Sequence, residues 1–185
     1  LSFAEGRVVL SFENQLRFES RDNNFDFDDG ADALTDDSWL LNRFRVSLTL
    51  KPVDWMTLYA QAQDSREFDS DRPDVPGALG AEGDNPFDLR QAWIELGGGE
   101  VSPFSLKAGR QVLQYGDQRL IGPLEWSNLA RTFDAVKLRW AGPDGIWVDA
   151  FVSSVVVPDA DHVDESDRDS VFSGLYAHLP HTGPQ

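Results

Sequence analysis

The chain has 185 residues, with 32 Asp and Glu against 16 Lys and Arg, a formal net charge of −16 and no cysteine. That balance excludes a general nucleic-acid partner, and the missing cysteine removes disulfides and cysteine-bearing zinc sites. No apolar run approaches the roughly 20 residues of a membrane helix, although a transmembrane β-barrel, whose lipid-facing residues are diluted by alternation, reads the same way.

The dominant pattern has period two. Val8, Leu10, Phe12, Leu16 and Phe18 alternate with Ser11, Glu13, Gln15, Arg17 and Glu19. Phe44, Val46, Leu48 and Leu50 alternate with Arg43, Arg45, Ser47, Thr49 and Lys51. The same alternation carries Met56 to Gln63, Gln91 to Leu96, Phe104 to Gly109, Val136 to Trp140 and Val148 to Ser153, and more weakly Val171 to Ala177. This predicts eight strands and no helix.

The connections add a second pattern. Those at 52–54, 97–103 and 141–145 are short and rich in Gly, Pro and Asp. Those at 21–37, 66–87, 112–132 and 158–170 are long, and short and long alternate strictly. In a meander this gathers short turns at one end and long loops at the other, as in outer-membrane barrels with periplasmic turns and extracellular loops. A soluble β-sandwich has no reason to segregate loop lengths in this way. The expected fold is therefore all-β: an antiparallel up-and-down transmembrane β-barrel meander in a single domain over 1–185. Trp39, Trp55, Phe104, Trp140 and Trp147 fall near strand ends, where an interfacial aromatic girdle is expected.

Charge is segregated too. Asp22, Asp26, Asp28, Asp29, Asp32, Asp36 and Asp37 crowd the first long loop. Asp64, Glu67, Asp69, Asp71, Asp74, Glu82, Asp84 and Asp88 crowd the second. Asp159, Asp161, Asp164, Glu165, Asp167 and Asp169 crowd the fourth. Arg17, Arg43, Arg45, Lys51, Lys107, Lys137 and Arg139 instead occupy the polar face of strands. Such a face cannot meet lipid, where a midplane Arg or Lys costs about 2–4 kcal/mol, but it can line a water-filled lumen. Arg binds carboxylates through two parallel hydrogen bonds, so the wall favours anions, unless Glu13, Glu19, Glu95 and Asp149 simply balance it.

Nothing points to catalysis. His162, His178 and His181 have no metal-ligand spacing, and nucleophile-elbow, Walker and dinucleotide motifs are missing. The stretch 26–30 lacks the spacing of a calcium loop. No enzyme activity, metal or cofactor is expected.

The segment Leu106 to Asp134 stands apart, mixing both charge signs with large side chains. Gly109-Arg110-Gln111, Tyr115-Gly116-Asp117-Gln118-Arg119-Leu120, Trp126-Ser127-Asn128 and Arg131-Thr132-Phe133-Asp134 together resemble the alginate export family of outer-membrane β-barrels. Asn42-Arg43-Phe44-Arg45, Leu58 to Arg66, and Asp88-Leu89-Arg90-Gln91-Ala92-Trp93 support the resemblance. It implies a larger monomeric barrel of roughly eighteen strands, of which this chain supplies about eight as an N-terminal piece, and an arginine-rich lumen that conducts an anionic uronate polymer outward. The implied partners are outer-membrane lipid, lipopolysaccharide and an anionic polysaccharide or solute. The alternative is a non-channel structural or adhesive barrel whose acidic loops bind partners or cations. On the channel reading the mixed segment folds inward as a constriction. Arg110, Arg119 and Arg131 face the conduit alongside Arg43, Arg45, Lys107, Lys137 and Arg139. Asp117 and Asp134 hold the arginines, and Tyr115 and Trp126 pack the segment. Strict alternation puts Arg110 on the other face, so its inward placement requires the strand to bulge or end there.

Overall fold

The computed structural model describes residues 1–22, 37–71 and 84–180. Nine strands form one antiparallel sheet: β1 (Ser2–Phe3), β2 (Val8–Arg21), β3 (Asp37–Val53), β4 (Met56–Phe68), β5 (Asn85–Gly97), β6 (Phe104–Gln111), β7 (Phe133–Ala141), β8 (Trp147–Val157) and β9 (Glu165–His178). Spatial order follows chain order throughout, and among the described residues no pairing joins β1 to β9. The sheet is thus the expected up-and-down meander, and it is open. The eight predicted strands are all present, and β1 is a two-residue addition to the edge. Among the described residues no helix is long and apolar enough to cross a membrane. The expectations for Asp26, Asp28, Asp29, Asp32, Asp36, Asp74, Glu82 and His181, and for the stretch 26–30, lie outside the described residues.

Short and long connections alternate as read from the sequence. The last long one is shorter than expected, because β9 starts at Glu165. The run Glu165 to Ser170 is polar on both faces and gives no alternation. It pairs nonetheless, with Val157 opposite Glu165 and Val156 opposite Ser166, beyond a register shift after Ser154.

Register divides the sheet into two chemically distinct faces. On one, Arg45 lies between Glu13 and Gln63, Trp93 between Tyr59 and Gly109, Lys107 between Glu95 and Lys137, and Asp149 between Arg139 and Tyr176. On the other, Leu48 lies between Leu10 and Ala60, Ile94 between Leu58 and Ala108, and Val136 between Ala108 and Val152. Leu16, Phe18, Val152 and Leu175 on this apolar face remain exposed. The polar face is the covered one: Arg43, Arg45, Gln61, Gln63, Ser65 and Asp149 are all buried.

The covering comes from the β6–β7 connection, residues 112–132, which touches strands from β2 to β9. Adjacent strands lie about 4.8 Å apart, so β2 and β9 would be roughly 34 Å apart in a flat sheet. A loop closed on itself by Tyr115 N–H to Ile121 O (3.2 Å) and Arg131 N–H to Pro123 O (2.6 Å) cannot bridge that span. The sheet therefore curls around the loop, with its polar face concave.

Two features adjust the sequence reading. Trp55, Phe104 and Trp140 are exposed near the short-turn end. Trp39 and Trp147 instead belong to the concave face: Trp39 is buried beside the Arg21 guanidinium, and Trp147 stacks with His178. Alternation from Arg43 and Asp149 puts both rings inside, and closeness to a strand end does not change the face. Gly109 in β6 has φ +119°, and a Cβ there would sit 2.2 Å from Ala92 O. Only glycine allows this approach of β5 and β6. Opposite it, Trp93 stacks on Tyr59 at 5.0 Å and carries the Lys107 ammonium over its ring at 3.6 Å.

Candidate functional site

The 112–132 loop is two turns back to back, each docked on a different part of the concave face by different chemistry. The first lobe, 115–121, docks on β7 to β9 by apolar packing. Leu113, Tyr115, Phe133, Ala135 and Phe151 form a buried cluster with Ile121, Trp147, Val155, Phe172 and Tyr176 against it. Tyr115 stacks between Phe151 (5.2 Å) and Tyr176 (4.8 Å), and its hydroxyl donates to Asp149 Oδ2 at 3.0 Å. Burial, and then the Asp149 charge, push the Tyr115 phenol up, so it remains a donor.

The second lobe, 123–131, docks on β2 to β5 by charge and hydrogen bonds. Asn128 donates to Asn42 O and Arg66 O, Ser65 donates to Asn128 O, and Gln63 donates to Leu129 O. Arg17 donates to Trp126 O and lies over the Trp126 ring at 4.5 Å. Glu125 stands at the centre. Its Oε1 accepts from Arg90, and its Oε2 accepts from Arg45 at 3.0 Å with Arg43 at 3.6 Å. Arg43 also donates to the Glu125 and Ser127 carbonyls, both at 3.0 Å. Burial alone would push the Glu125 carboxyl up, but the Arg90, Arg45 and Arg43 charges and the Arg45 hydrogen bond hold it below the usual carboxylate range. The three guanidiniums are almost wholly buried.

A second centre lies toward the short-turn end. Asp149 is fully buried and accepts Arg139 Nε (2.6 Å) and Nη2 (2.8 Å), with Lys137 Nζ at 3.6 Å. Arg139 in turn lies over the Trp147 ring at 4.2 Å. Lys107 faces the same space and meets Glu95 at 3.7 Å. Five of the predicted cations, Arg43, Arg45, Lys107, Lys137 and Arg139, therefore share the concave face. Each has a carboxylate neighbour.

The other predicted residues are placed differently. β6 runs without a bulge at Arg110, which stays on the convex face opposite Asp134. It is clamped there by both Asp134 oxygens (3.0 and 3.3 Å), Leu89 O and Asp164 O. Asp134 does hold Arg110, with Ser166 as a further donor, but away from the concave space. Arg119 and Asp117 are 3.9 Å apart and highly exposed on the first lobe, and Arg131 is exposed at the neck of the second. Trp126 is mostly exposed and packs under Arg17 instead of in a core. Among the described residues no group of three or more His, Asp or Glu is arranged to hold a metal.

Two principal members of the site escape sequence reading. Arg90 falls on the apolar register of β5, but the pairing skips it: Gln61 lies opposite Gln91 and Ala62 opposite Leu89. This bulge turns Arg90 inward with Gln91 and Asp88. Glu125 carries no signal on its own, being one carboxylate among 32.

At the long-loop end, Asp164 ties the β8–β9 connection to β5. Asn85 Nδ2 donates to both of its oxygens (3.1 and 3.0 Å), and its own N–H donates to Asp88 Oδ2 at 2.6 Å. Burial, and then the neighbouring Asp88, push the Asp164 carboxyl up to about 6, against the lowering effect of the Asp159 N–H. A raised acid stabilises the contact fully below the ordinary Asp pKa, and that contribution is lost as pH rises through about 6. Hydrogen exchange of the 158–164 backbone, corrected for intrinsic chemistry, is therefore expected to be faster at pH 8 than at pH 5. Asp164→Asn, which mimics the protonated form, should remove the difference; an unchanged difference would assign it to another group.

A family model described as alginate export matches residues 7–184. No curated protein and no solved structure matches the chain.

Proposed function

The chain belongs to the alginate export family, and from that premise we propose that its sheet is wall of an outer-membrane β-barrel that conducts an anionic uronate polysaccharide through a lumen lined by the concave face. The family is one of export and not of catalysis. The observation that carries the reading is the division of the sheet into an exposed apolar face and a covered face rich in Arg and Lys. Exposed apolar area on this scale marks a lipid or partner surface in any protein, and a barrel wall meets lipid on that side. Arg110, Asp134 and Ser166 sit on the same face toward the long loops, above the apolar band, where the headgroup region tolerates charge.

The inner cations supply the anion preference. Counting Glu13, which lies 3.5–3.6 Å from Arg43 and Arg45, the second-lobe cluster sets Arg43, Arg45 and Arg90 against two carboxylates. The Asp149 cluster sets Lys137 and Arg139 against one. Each centre keeps an excess of one positive charge in a confined aqueous space. The 112–132 loop, folded across that space, is the constriction. Conductance of the full-length protein in planar bilayers tests the proposal. Anion-selective channels are expected; cation selectivity, or a barrel with no conductance, would favour instead an adhesive or structural barrel with acidic loops.

A further inference from the structure

We propose, resting on the export reading above, that Arg43, Arg45 and Arg90 form a binding subsite for a sugar carboxylate and that Glu125 is its tethered occupant, displaced by the incoming uronate. Glu125 divides its oxygens between Arg90 and Arg45, with Arg43 alongside, which is how a free carboxylate would be bound. The exposure is uneven. The three arginine side chains are about 5% exposed, whereas the Glu125 side chain is 43% exposed. The receptor is thus part of the wall, and the ligand faces the conduit.

Arg45 and Arg90 have anchors on the sheet other than Glu125. Arg45 Nε donates to Gln63 Oε1 at 2.6 Å, Arg90 Nη1 donates to Gln61 Oε1 at 2.8 Å, and Glu13 lies near both Arg43 and Arg45. Among the described residues, Arg43 Nε, Arg45 Nη2 and Arg90 Nε are buried N–H groups without a hydrogen-bond partner, so Glu125 does not saturate the trio. Arg45 and Arg90 thus keep their anchors when the occupant leaves, and Arg43 keeps Glu13 at 3.5 Å.

The occupant can leave because its lobe is attached differently from the rest of the loop. The first lobe is fixed by a buried aromatic cluster. The second is held by hydrogen bonds and ion pairs, whose partners on the sheet can bind water or an anion once the lobe lifts. Its segment 125–129 lies between Leu124 (φ +49°) and Ala130 (φ +59°), two left-handed non-glycine residues that favour a rearranged backbone. Protonation is a poor trigger near neutral pH, since the arginines hold the carboxyl below its usual range. A competing carboxylate is the effective one.

Calorimetric titration of the full-length protein in detergent, with glucuronate as the probe and glucose as the neutral control, tests the exchange. A tethered ligand that occupies the subsite at least nine-tenths of the time weakens apparent affinity about tenfold or more. Glu125→Gln should therefore bind glucuronate at least about tenfold more tightly than the parent, with Glu125→Asp in between and no binding of glucose by any of them. Adding Arg90→Gln to Glu125→Gln should abolish the gain. Equal or weaker affinity in Glu125→Gln, a gain that survives Arg90→Gln, or no glucuronate binding by any variant would overturn the proposal. The export reading stands or falls separately, on anion-selective conductance.

Discussion

Replacing Asp149 with alanine is expected to destabilise the full-length protein by about 3 kcal/mol, the low end of the cost of removing one partner from a buried ion pair. Asp149 is fully buried and holds three groups at once: Arg139 through two hydrogen bonds, Lys137 at 3.6 Å and the Tyr115 hydroxyl at 3.0 Å. Alanine leaves two like charges facing each other on β7 and orphans a buried phenol. The low end applies because the Arg139 side chain is 37% exposed and can recover some hydration, whereas the Lys137 side chain, at 15%, cannot to the same degree. The loss also reaches the loop, since Asp149 is the polar partner of the ring that docks the first lobe. Asp149→Asn keeps an acceptor for Tyr115 and should cost less. Asp117→Ala removes a 3.9 Å pair between highly exposed side chains and should change nothing measurable. Denaturant titrations of the refolded protein in detergent check all three. Equal stability of Asp149→Ala and Asp117→Ala would show that the Asp149 centre is not structural.

How much of this could be read from residues alone divides along physical lines. Period two survives in any sheet with two unlike faces, so the strands and the basic face carrying Arg43, Arg45, Lys107, Lys137 and Arg139 were legible. So was the packing of the 112–132 stretch back onto the sheet, because its aromatics and mixed charges need covering. What alternation cannot reveal is its own interruption. Arg90 turns inward at a bulge that nothing in Asp88-Leu89-Arg90-Gln91 announces. Arg110, for which a bulge was expected, follows the regular register and remains outside. Glu125 was hidden for a different reason: its role depends on a loop docking across β2 to β5, and contacts such as those to Arg43 and Arg45, 82 and 80 positions away, leave no local pattern. In effect residue pattern showed which face of the sheet is basic, and the fold showed which carboxylate its arginines hold.

Replacing Arg43, Arg45 and Arg90 together with glutamine should lower anion-over-cation selectivity, with the stabilisation of a permeating anion alone falling by about five- to thirtyfold, by the following Coulomb estimate. A unit charge about 6 Å from a permeating ion in water contributes roughly 0.7 kcal/mol, and three contribute about 2 kcal/mol, or about thirtyfold. Salt near 0.1 M, with a screening length of about 10 Å, roughly halves that energy and sets the lower figure. The triple change matters more than any single one because the remaining carboxylates, Glu13 and Glu125, then face the conduit without the cations that offset them. The centre passes from an excess of positive charge to two negative charges, so its sign inverts. Glutamine keeps a donor for the Glu125 and Ser127 carbonyls, so the second lobe retains part of its docking. Arg110→Gln is the informative contrast. It too removes a cation, but one in the 106–134 segment that lies on the convex face and is bound to Asp134, and it should leave selectivity unchanged. Reversal potentials in a salt gradient distinguish the two variants. If Arg110→Gln shifts the potential as far as the triple variant does, the two faces are not electrically distinct and the concave face is not the conduit.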